Sequence, residues 1–98
     1  PLGLQGKREP LVDVIEDDES IKVLAELPGV EKSDIKLLAT PSGLTINVDN
    51  PERQYYKELE FDAEIARKSA KSSYRNGVLE VSFKKMSHVD EGTPINIE

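Results

Sequence analysis

The sequence predicts an all-β protein, an immunoglobulin-like antiparallel β-sandwich of about seven or eight strands. Two patterns carry this prediction. Apolar and polar residues alternate with a period of two in several short segments, as in strands with one buried face. Clusters of Gly, Pro, Asn and Asp separate these segments roughly every eight to twelve residues. The chain of 98 residues is long enough for one such domain.

Composition narrows the class of protein. Hydrophobic residues make up 37% and charged residues 33% of the chain, which is typical of a soluble globular domain. A formal net charge of −6 argues against a nucleic-acid partner. No apolar run is long enough to span a membrane, and no secretory leader is visible at the start. The absence of Cys excludes disulfides and Cys-based zinc sites and permits a reducing compartment, so we expect a cytoplasmic protein.

The N-terminal third begins with an irregular segment and continues with two strands. Pro1–Pro10 lacks periodicity, so we expect a flexible arm or, in its first three residues, an expression remnant. Leu11–Ile15 is a candidate strand, and the acidic Asp17–Ser20 is a hairpin turn. Ile21–Leu27 alternates with one clearly apolar face. We therefore assign residues 11–86 to the sandwich domain, with the arm before it.

The middle of the chain predicts three further strands. Ile35–Ala39 alternates, but Leu38 is also apolar, so both faces of this strand are expected to be covered. Leu44–Val48 alternates strictly with polar residues and predicts a half-buried strand. Tyr55–Phe61 carries aromatic residues that suit a pleated surface.

The last third contains the strongest local signal, Asn76-Gly77. This pair favours a two-residue hairpin turn, because Asn and Gly adopt positive φ at low cost. Ser72–Arg75 and Val78–Phe83 are then the arms of a β-hairpin. Asp62–Ala70 predicts one or two helical turns with Asp62 as the N-cap, and Ser87–Thr93 predicts a polar linker inside a C-terminal extension of residues 87–98.

The sequence shows no residue pattern that would support catalysis. The only His is His88, in a polar segment, and no nucleophile–base pair, phosphate-binding Gly-rich loop or metal-ligand spacing occurs. The carboxylates fall on outer strand faces and turns, as solubilising charge does. We therefore predict a non-enzymatic binding or assembly module without catalytic residues, metal or cofactor.

The C-terminal end is unusually apolar. Ile95 and Ile97 lie at i, i+2 after Pro94, so both side chains share one face of an extended segment. Such a segment suits a sheet edge or groove of a partner chain. Burial of both side chains contributes about 3–6 kcal/mol before the cost of ordering the tail. The alternative is an apolar end that packs on its own domain.

Three motifs in this order resemble the small heat-shock protein (α-crystallin domain) family. Glu26–Val30 followed by Asp34-Ile35 is similar to the family's strand-end turn. The residues Asn76, Gly77, Val78 and Leu79 resemble the family signature A-x-x-x-N-G-V-L, with Ser72 at the Ala position. Ile95-Asn96-Ile97 resembles the C-terminal I-x-I motif. Together they span roughly Leu11 to Ile97.

The resemblance implies an ATP-independent holdase that forms dimers and larger homo-oligomers and binds partly unfolded client proteins, with no nucleic-acid or membrane partner. It implies that the I-x-I tail docks between the strands Ile35–Ala39 and Lys71–Arg75. The groove residues expected on this basis are Ile35, Leu37, Ala39 and Ser73. A co-chaperone or adaptor and a structural accessory protein of a specialised assembly are the alternatives with the same fold.

The middle of the domain departs from the archaeal or bacterial type that the chain otherwise resembles. Those members carry a long loop with a strand swapped into a partner subunit, whereas only Asp49–Tyr56 is present here. Eight residues span at most about 26–29 Å, too short to leave, pair and return. We therefore predict no strand swap and instead an edge-to-edge dimer, as in animal members. The expected dimer edge includes Arg53, Tyr55, Tyr56 and Lys57.

Overall fold

The computed structural model describes residues 6–89 and 95–97, and this part of the chain forms two antiparallel sheets. The elements are β1 (Val12–Glu16), β2 (Ser20–Glu26), a 3-10 turn (Lys32–Asp34), β3 (Ile35–Thr40), β4 (Gly43–Asp49), β5 (Gln54–Glu60), β6 (Ile65–Arg75), β7 (Val78–Lys85) and the single-turn helix α1 (Met86–Val89). The four-stranded sheet has the order β1-β2-β7-β6 and the three-stranded sheet the order β3-β4-β5. The predicted antiparallel β-sandwich is confirmed.

The core lies between the two sheets and is built from the alternating residues. Every second residue of β2, β4 and β7 points inward, so the apolar face of each strand is removed from water. Phe61 and Phe83 meet across the core with ring centroids 6.1 Å apart. The buried residues of these three strands are Ile21, Val23, Ala25, Leu44, Ile46, Val48, Leu79, Val81 and Phe83.

The β6–β7 hairpin has the predicted two-residue turn. Asn76 has φ 51° and Gly77 has φ 80°, both in the left-handed region that a type I′ turn requires. Arg75 pairs with Val78 across the turn. This register places Leu79, Val81 and Phe83 on the buried face.

The helical prediction for Asp62–Ala70 is wrong, because residues 62–63 form a bend and β6 starts at Ile65. The N–H of Ile65 donates to the carbonyl of Pro41 at 2.8 Å, and the Ile65 side chain is buried. Ile65 also pairs with Lys85, so β6 begins seven residues before the predicted hairpin arm Ser72–Arg75. The register shifts between Ala66 and Lys71, and this irregularity disrupts the alternation that would have marked a strand.

The outer face of β3 is not covered. Leu38 is 64% exposed, whereas Ile35 and Ala39, on the opposite face, pack against the core. The expectation that both faces of this strand are covered is therefore wrong within the described residues. β3 is an edge strand of the three-stranded sheet, so only its inner face meets the other sheet.

Residues 7–10 of the predicted arm contact the sandwich, in contrast to the flexible arm that the sequence predicts, and residues 1–5, including the suggested expression remnant, lie outside the described residues. The N–H of Arg8 donates to the carbonyl of Gln54 at 3.0 Å, and the N–H of Tyr56 donates to the carbonyl of Arg8 at 2.8 Å. Arg8 thus forms a parallel bridge with β5 at Tyr55. Pro10 is buried, and the chain then enters β1.

The Lys7 ammonium fixes the start of this arm. Its Nζ donates to Asn47 Oδ1 and to Asp49 Oδ1, both at 2.6 Å, and its side chain is only 7% exposed. Burial of this ammonium group is tolerated because both side-chain acceptors form hydrogen bonds with it. The arm therefore straps one edge of the sandwich rather than hanging free.

The connection from β4 to β5 is a tight turn. Only residues 50–53 lie between the two strands, and the Asn50 side-chain oxygen accepts the N–H groups of Glu52 and Arg53 at 2.9 and 3.2 Å. Four residues span at most about 14 Å, which leaves no segment for an additional strand. The prediction of no strand swap stays a prediction, but the geometry of one chain agrees with it.

Beyond β7 the chain forms one helical turn, Met86–Val89, which overlaps the start of the predicted polar linker Ser87–Thr93. The remaining linker residues, 90–93, lie outside the described residues. Among the described residues, no helix is both long and apolar enough to cross a membrane.

Candidate functional site

A cleft of about 160 Å³ opens where the edges of the two sheets meet. One rim is β3, the edge of the three-stranded sheet, and the other is β6, the edge of the four-stranded sheet. Its walls are largely apolar, with small hydroxyl side chains on the β6 side. The lining residues are Lys32, Ile35, Leu37, Ser72, Ser73, Tyr74 and Leu79.

The β3 rim supplies the apolar wall. Ile35 and Leu37 lie two residues apart, so their side chains share the inner face of the strand. Ile35 packs against the core, whereas Leu37 is 37% exposed at the cleft. An extended chain laid along β3 would meet two apolar side chains at the spacing of its own alternate residues.

The β6 rim is held in place by Tyr74. Its hydroxyl is 2.6 Å from the carbonyl of Leu27 and 3.1 Å from that of Val30 and donates to this pair. These carbonyls belong to the segment that follows β2, so the hydrogen bond ties the cleft rim to the loop that leaves β2 at the same end of the sheet. Ser73 beside it is small and leaves the cleft open.

The 3-10 turn before β3 places a lysine, Lys32, at one end of the cleft. The Asp34 carboxylate fixes this turn, because it accepts the Asn50 side-chain amide and the N–H of Glu31, each at 2.8 Å. These donors, the Asn50 amide first, lower the pKa of Asp34 below its usual value. The turn that starts β3 is therefore held by an ionised carboxylate at neutral pH.

Three of the four predicted groove residues lie together in the cleft. Ile35, Leu37 and Ser73 line it, whereas Ala39 lies further along β3 and packs against the core instead. The sequence interpretation missed Tyr74 and Leu79. The hairpin register contained the signal, because a two-residue turn at Asn76-Gly77 pairs Tyr74 with Leu79 directly.

The predicted docking motif does not lie on its own domain. Ile95 is 88% and Ile97 is 97% exposed, so neither side chain packs against the described residues. Among the described residues, the structure therefore shows no packing of the apolar end on its own sandwich, and the choice between the two alternatives stays a matter for experiment. Two exposed β-branched side chains and an apolar cleft of matching spacing are both present.

The predicted dimer edge is strand β5, the second edge of the three-stranded sheet. Tyr55 points into the core, whereas Arg53 is exposed. The Tyr56 hydroxyl donates to Glu58 Oε2 at 2.6 Å, and this hydrogen bond to the carboxylate raises the pKa of Tyr56. The carbonyl of Gln54 and the N–H of Tyr56 are already used by the arm.

A second contact from the arm lies next to these backbone bonds. The fourth predicted edge residue, Lys57, forms an ion pair with Glu9 at 3.0 Å. Part of the edge assigned to a partner subunit is thus occupied by the chain's own N-terminal arm. Nothing in the sequence around Lys7–Glu9 signals this pairing, since the segment has no period of two.

The described residues contain no group of three or more His, Cys, Asp or Glu side chains arranged to hold a metal ion. The cleft offers apolar walls, hydroxyl groups and one ammonium group. Its arrangement suits the reversible burial of apolar side chains from an extended segment.

Comparison with known proteins identifies solved structures with this architecture. The sequence matches no family model. The fold is similar to the solved structure of heat shock protein 16.0 from Schizosaccharomyces pombe, with a TM-score of 0.76, 26% identity, and coverage of 97% of this chain and 79% of that one. The predicted resemblance to small heat-shock proteins is confirmed.

Two curated small heat-shock or heat-shock proteins are similar in sequence. The mitochondrial small heat shock protein hspI of Dictyostelium discoideum is 25% identical over 114 residues, covering 96% of this chain and 51% of the relative. A probable 15 kDa heat shock protein of Leptospira interrogans is 29% identical over 82 residues, covering 84% and 55%. The chain thus spans about half the length of the curated relatives it matches.

The signature shared with small heat-shock proteins has a structural role here. Asn76 and Gly77 form the turn, Val78 lies on the outer face of β7, and Leu79 reaches the cleft. Gly29 has φ 81°, and a Cβ there would lie 2.6 Å from Arg53 Nε. The strand-end motif therefore needs glycine for both its backbone conformation and the close approach of Arg53.

Proposed function

We propose that the chain is the sandwich domain and tail of an ATP-independent holdase that binds partly unfolded proteins and limits their aggregation. The observation that carries this proposal is the pairing of an open apolar cleft with two exposed isoleucines at i, i+2. The resemblance to small heat-shock proteins supports a chaperone activity rather than another binding function. We also propose a cytoplasmic location, which the absence of Cys permits and cell fractionation would test.

Assembly would use the cleft and the tail of neighbouring chains. Residues two apart on an extended chain are about 6.6–6.8 Å apart, so Ile95 and Ile97 match the spacing of Ile35 and Leu37. Each docking is weak, since ordering the tail offsets much of the gain from burying two side chains. Many tails in one assembly would nevertheless hold it firmly through effective concentration.

Dimer formation would use the edge of β5. The strand is seven residues long, pairs with β4 on one side and is bridged by the N-terminal arm at Tyr55 on the other, so the arm has to leave part of this edge. Its antiparallel pairing with a second copy would extend the three-stranded sheet and bury backbone groups now exposed. Loosening of tail contacts would then expose apolar cleft residues, such as Leu37, to partly unfolded clients.

The assembly half of the proposal is tested by replacing both tail isoleucines. Ile95→Ala with Ile97→Ala should lower the oligomer mass measured by multi-angle light scattering, because the side chains that fill the cleft are lost. Asn96→Ala is the matched control and should leave the mass unchanged. An unchanged mass in the double variant would show that the tail is not an assembly element.

The holdase half is tested by heat aggregation of citrate synthase followed by light scattering. We expect suppression without nucleotide and no further effect of added ATP. A chain that forms oligomers but leaves the aggregation rate unchanged would contradict the holdase proposal while leaving the assembly proposal standing.

A further inference from the structure

The outer edge of β1 is unpaired. β1 pairs with β2 on one side only and is the outermost strand of its sheet. Of the features that protect strand edges, a proline, a lysine and a bulge are absent from Val12–Glu16, and its charged side chains, Asp13 and Glu16, are both acidic. By contrast, the arm straps the edge of β5, and the edges of β3 and β6 form the cleft.

The backbone of β1 presents three residues to a further strand. Leu11 accepts the N–H of Glu26, and the N–H of Asp17 donates to Ser20, so odd-numbered residues bond to β2. In an antiparallel ladder the intervening residues point the other way. The N–H and C=O groups of Val12, Val14 and Glu16 therefore face outward.

Apolar side chains flank this edge on both faces. Val14, on the inner face, is 45% exposed, and Ile15, on the outer face, is 55% exposed. On the outer face lies a depression of about 330 Å³, lined by Leu11, Val12, Asp13, Leu24, Glu26 and Val78. Its apolar surface is bordered by two carboxylates, a combination that fits the alkyl stem and the charged head of a Lys or Arg side chain.

The charge around β1 identifies the partner chemistry. No Lys or Arg occurs between Arg8 and Lys22, whereas exposed carboxylates occupy five of the positions from 13 to 19. One of them, Glu16, is paired with Lys85 at 2.6 Å. Lys22, across from Ile15 on β2, is paired with Glu80 at 3.7 Å. A second copy of this edge would bring the same acidic segment alongside, and like charges repel.

From these features we propose that the β1 edge binds an extended, cationic polypeptide segment as an added strand, with one Lys or Arg side chain in the Asp13–Glu26 depression. Backbone hydrogen bonds to Val12, Val14 and Glu16 would give affinity, and the acidic depression would select basic residues. This inference rests on the proposed function and deepens it, because it names a class of client segment.

The direct test uses two fluorescein-labelled peptides of about twelve residues. One alternates Val or Thr with Lys, and the other carries Glu in place of each Lys. Fluorescence anisotropy with the whole chain should show the Lys peptide bound about tenfold more tightly than the Glu peptide, a difference expected from a few close charge pairs. Equal affinities would overturn the proposal.

Hydrogen exchange measured by NMR locates the peptide. Amides of Val12, Val14 and Glu16 should exchange quickly in the free chain and be protected by the Lys peptide. Protection at the β3–β6 cleft instead would overturn the β1 assignment. Protection of these three amides by raising the chain concentration alone would show that a second copy is the occupant.

Matched variants separate charge from folding. Asp13→Asn with Glu26→Gln should weaken Lys-peptide binding about fivefold. Asp62→Asn with Glu64→Gln makes the same charge change away from β1 and should not weaken it.

Val14→Pro removes one outward N–H without touching the β2 ladder and should weaken Lys-peptide binding about tenfold, with Val14→Ala as control. Equal effects in both members of a pair would contradict the site.

The same chain separates this inference from the proposed function. If it suppresses citrate synthase aggregation but binds neither peptide, the β1 site fails and the holdase stands. If it binds the Lys peptide at β1 without suppressing aggregation, the site stands and the holdase fails.

Discussion

At the residue scale, Tyr74 has the largest structural role in the cleft. Its half-buried hydroxyl is hydrogen-bonded to the carbonyls of Leu27 and Val30, and removing it leaves these acceptors without that donor. We expect Tyr74→Phe to lower the free energy of unfolding by about 1–2 kcal/mol in urea denaturation.

The matched control is Tyr56→Phe, which removes a hydroxyl that donates to the exposed Glu58 carboxylate. It should leave the urea midpoint unchanged. A loss of stability as large as that of Tyr74→Phe would show that the hydrogen bonds of the Tyr74 hydroxyl contribute no more than that of an exposed tyrosine hydroxyl.

Gly77 is the second residue whose chemistry is fixed by position. Its φ of 80° lies in the left-handed region, and a Cβ there would lie 3.3 Å from Pro28 Cα. Gly77→Ala should therefore cost about 1–2 kcal/mol of stability in thermal or urea unfolding. Asn76→Gly tests the same turn without strain and should be close to neutral, so two equal losses would argue against backbone conformation as the cause.

These two residues also show which details a sequence reveals. The turn at Asn76-Gly77 was predictable from the sequence because its signal is local and its requirement for positive φ is steric. The partners of Tyr74 lie 47 and 44 positions away along the chain, so no local pattern specifies them. They become visible only once the β2 end and the β6 rim are brought together.

At the scale of elements, the arm is an edge strap whose anchor is Lys7. Lys7→Ala removes both 2.6 Å contacts to β4 side chains, so the arm should detach from β5. We expect the amides of Arg8 and Tyr56 to exchange at least about tenfold faster, in line with the loss of about 1–2 kcal/mol of local stability.

If β5 is also the dimer edge, release of the arm should strengthen dimerisation, as measured by sedimentation equilibrium in an analytical ultracentrifuge. Lys22→Ala removes an exposed ion pair at 3.7 Å and is the control. Weaker dimerisation after Lys7→Ala would show that the arm supports the dimer instead of competing with it.

The β1–β2 turn is stabilised by one carboxylate. Asp17 Oδ1 accepts the N–H groups of Glu19 and Ser20 at 2.8 and 2.7 Å, and these donors, Glu19 first, lower the pKa of Asp17. A lowered folded-state pKa stabilises the fold above the unfolded value, about 3.9, and this contribution is lost as the pH falls through the folded value.

Asp17→Ala should therefore destabilise the domain at pH 7, and the difference from the parent should shrink below about pH 4. Asp18→Ala is the control in the same turn and should show no such pH dependence. Urea titrations at several pH values measure both, and a difference that stays constant down to pH 2 would contradict the role of the ionised carboxylate.

Elements with an undisturbed period of two were predictable, and the exceptions have physical causes. β2, β4 and β7 follow their alternation because each buries one face. The start of β6 was mistaken for a helix because the register shift after Ala66 disturbs its alternation. The arm pairs through backbone groups and one lysine, and neither produces a hydrophobic pattern.

At the scale of the whole molecule, the two open sides of the sandwich differ. On one side the arm passes from β5 to β1 and closes the gap between the sheets. On the other side β3 and β6 leave the cleft open. Periodicity predicted the sandwich, but Ile35, Leu37 and Ser73 were placed at the cleft only by family resemblance, because a cleft between sheet edges depends on strand order.

This asymmetry leads to a test of whether a tail fills the cleft of its own chain or of a neighbour. The tail variant Ile95→Ala with Ile97→Ala retains an intact cleft, and the cleft variant Leu37→Lys retains an intact tail. If docking occurs between chains, each variant alone should form only small species, whereas a one-to-one mixture should have a larger mass by multi-angle light scattering, because intact tails can enter intact clefts.

Leu38→Lys is the matched control for the cleft variant, since it adds the same charge on the opposite, exposed face of β3. It should assemble as the parent chain does. If docking occurs within one chain, the mixture should show only the average of its two components, because no molecule then has both an intact tail and an intact cleft. That outcome would remove the tail from assembly and assign it to shielding its own cleft.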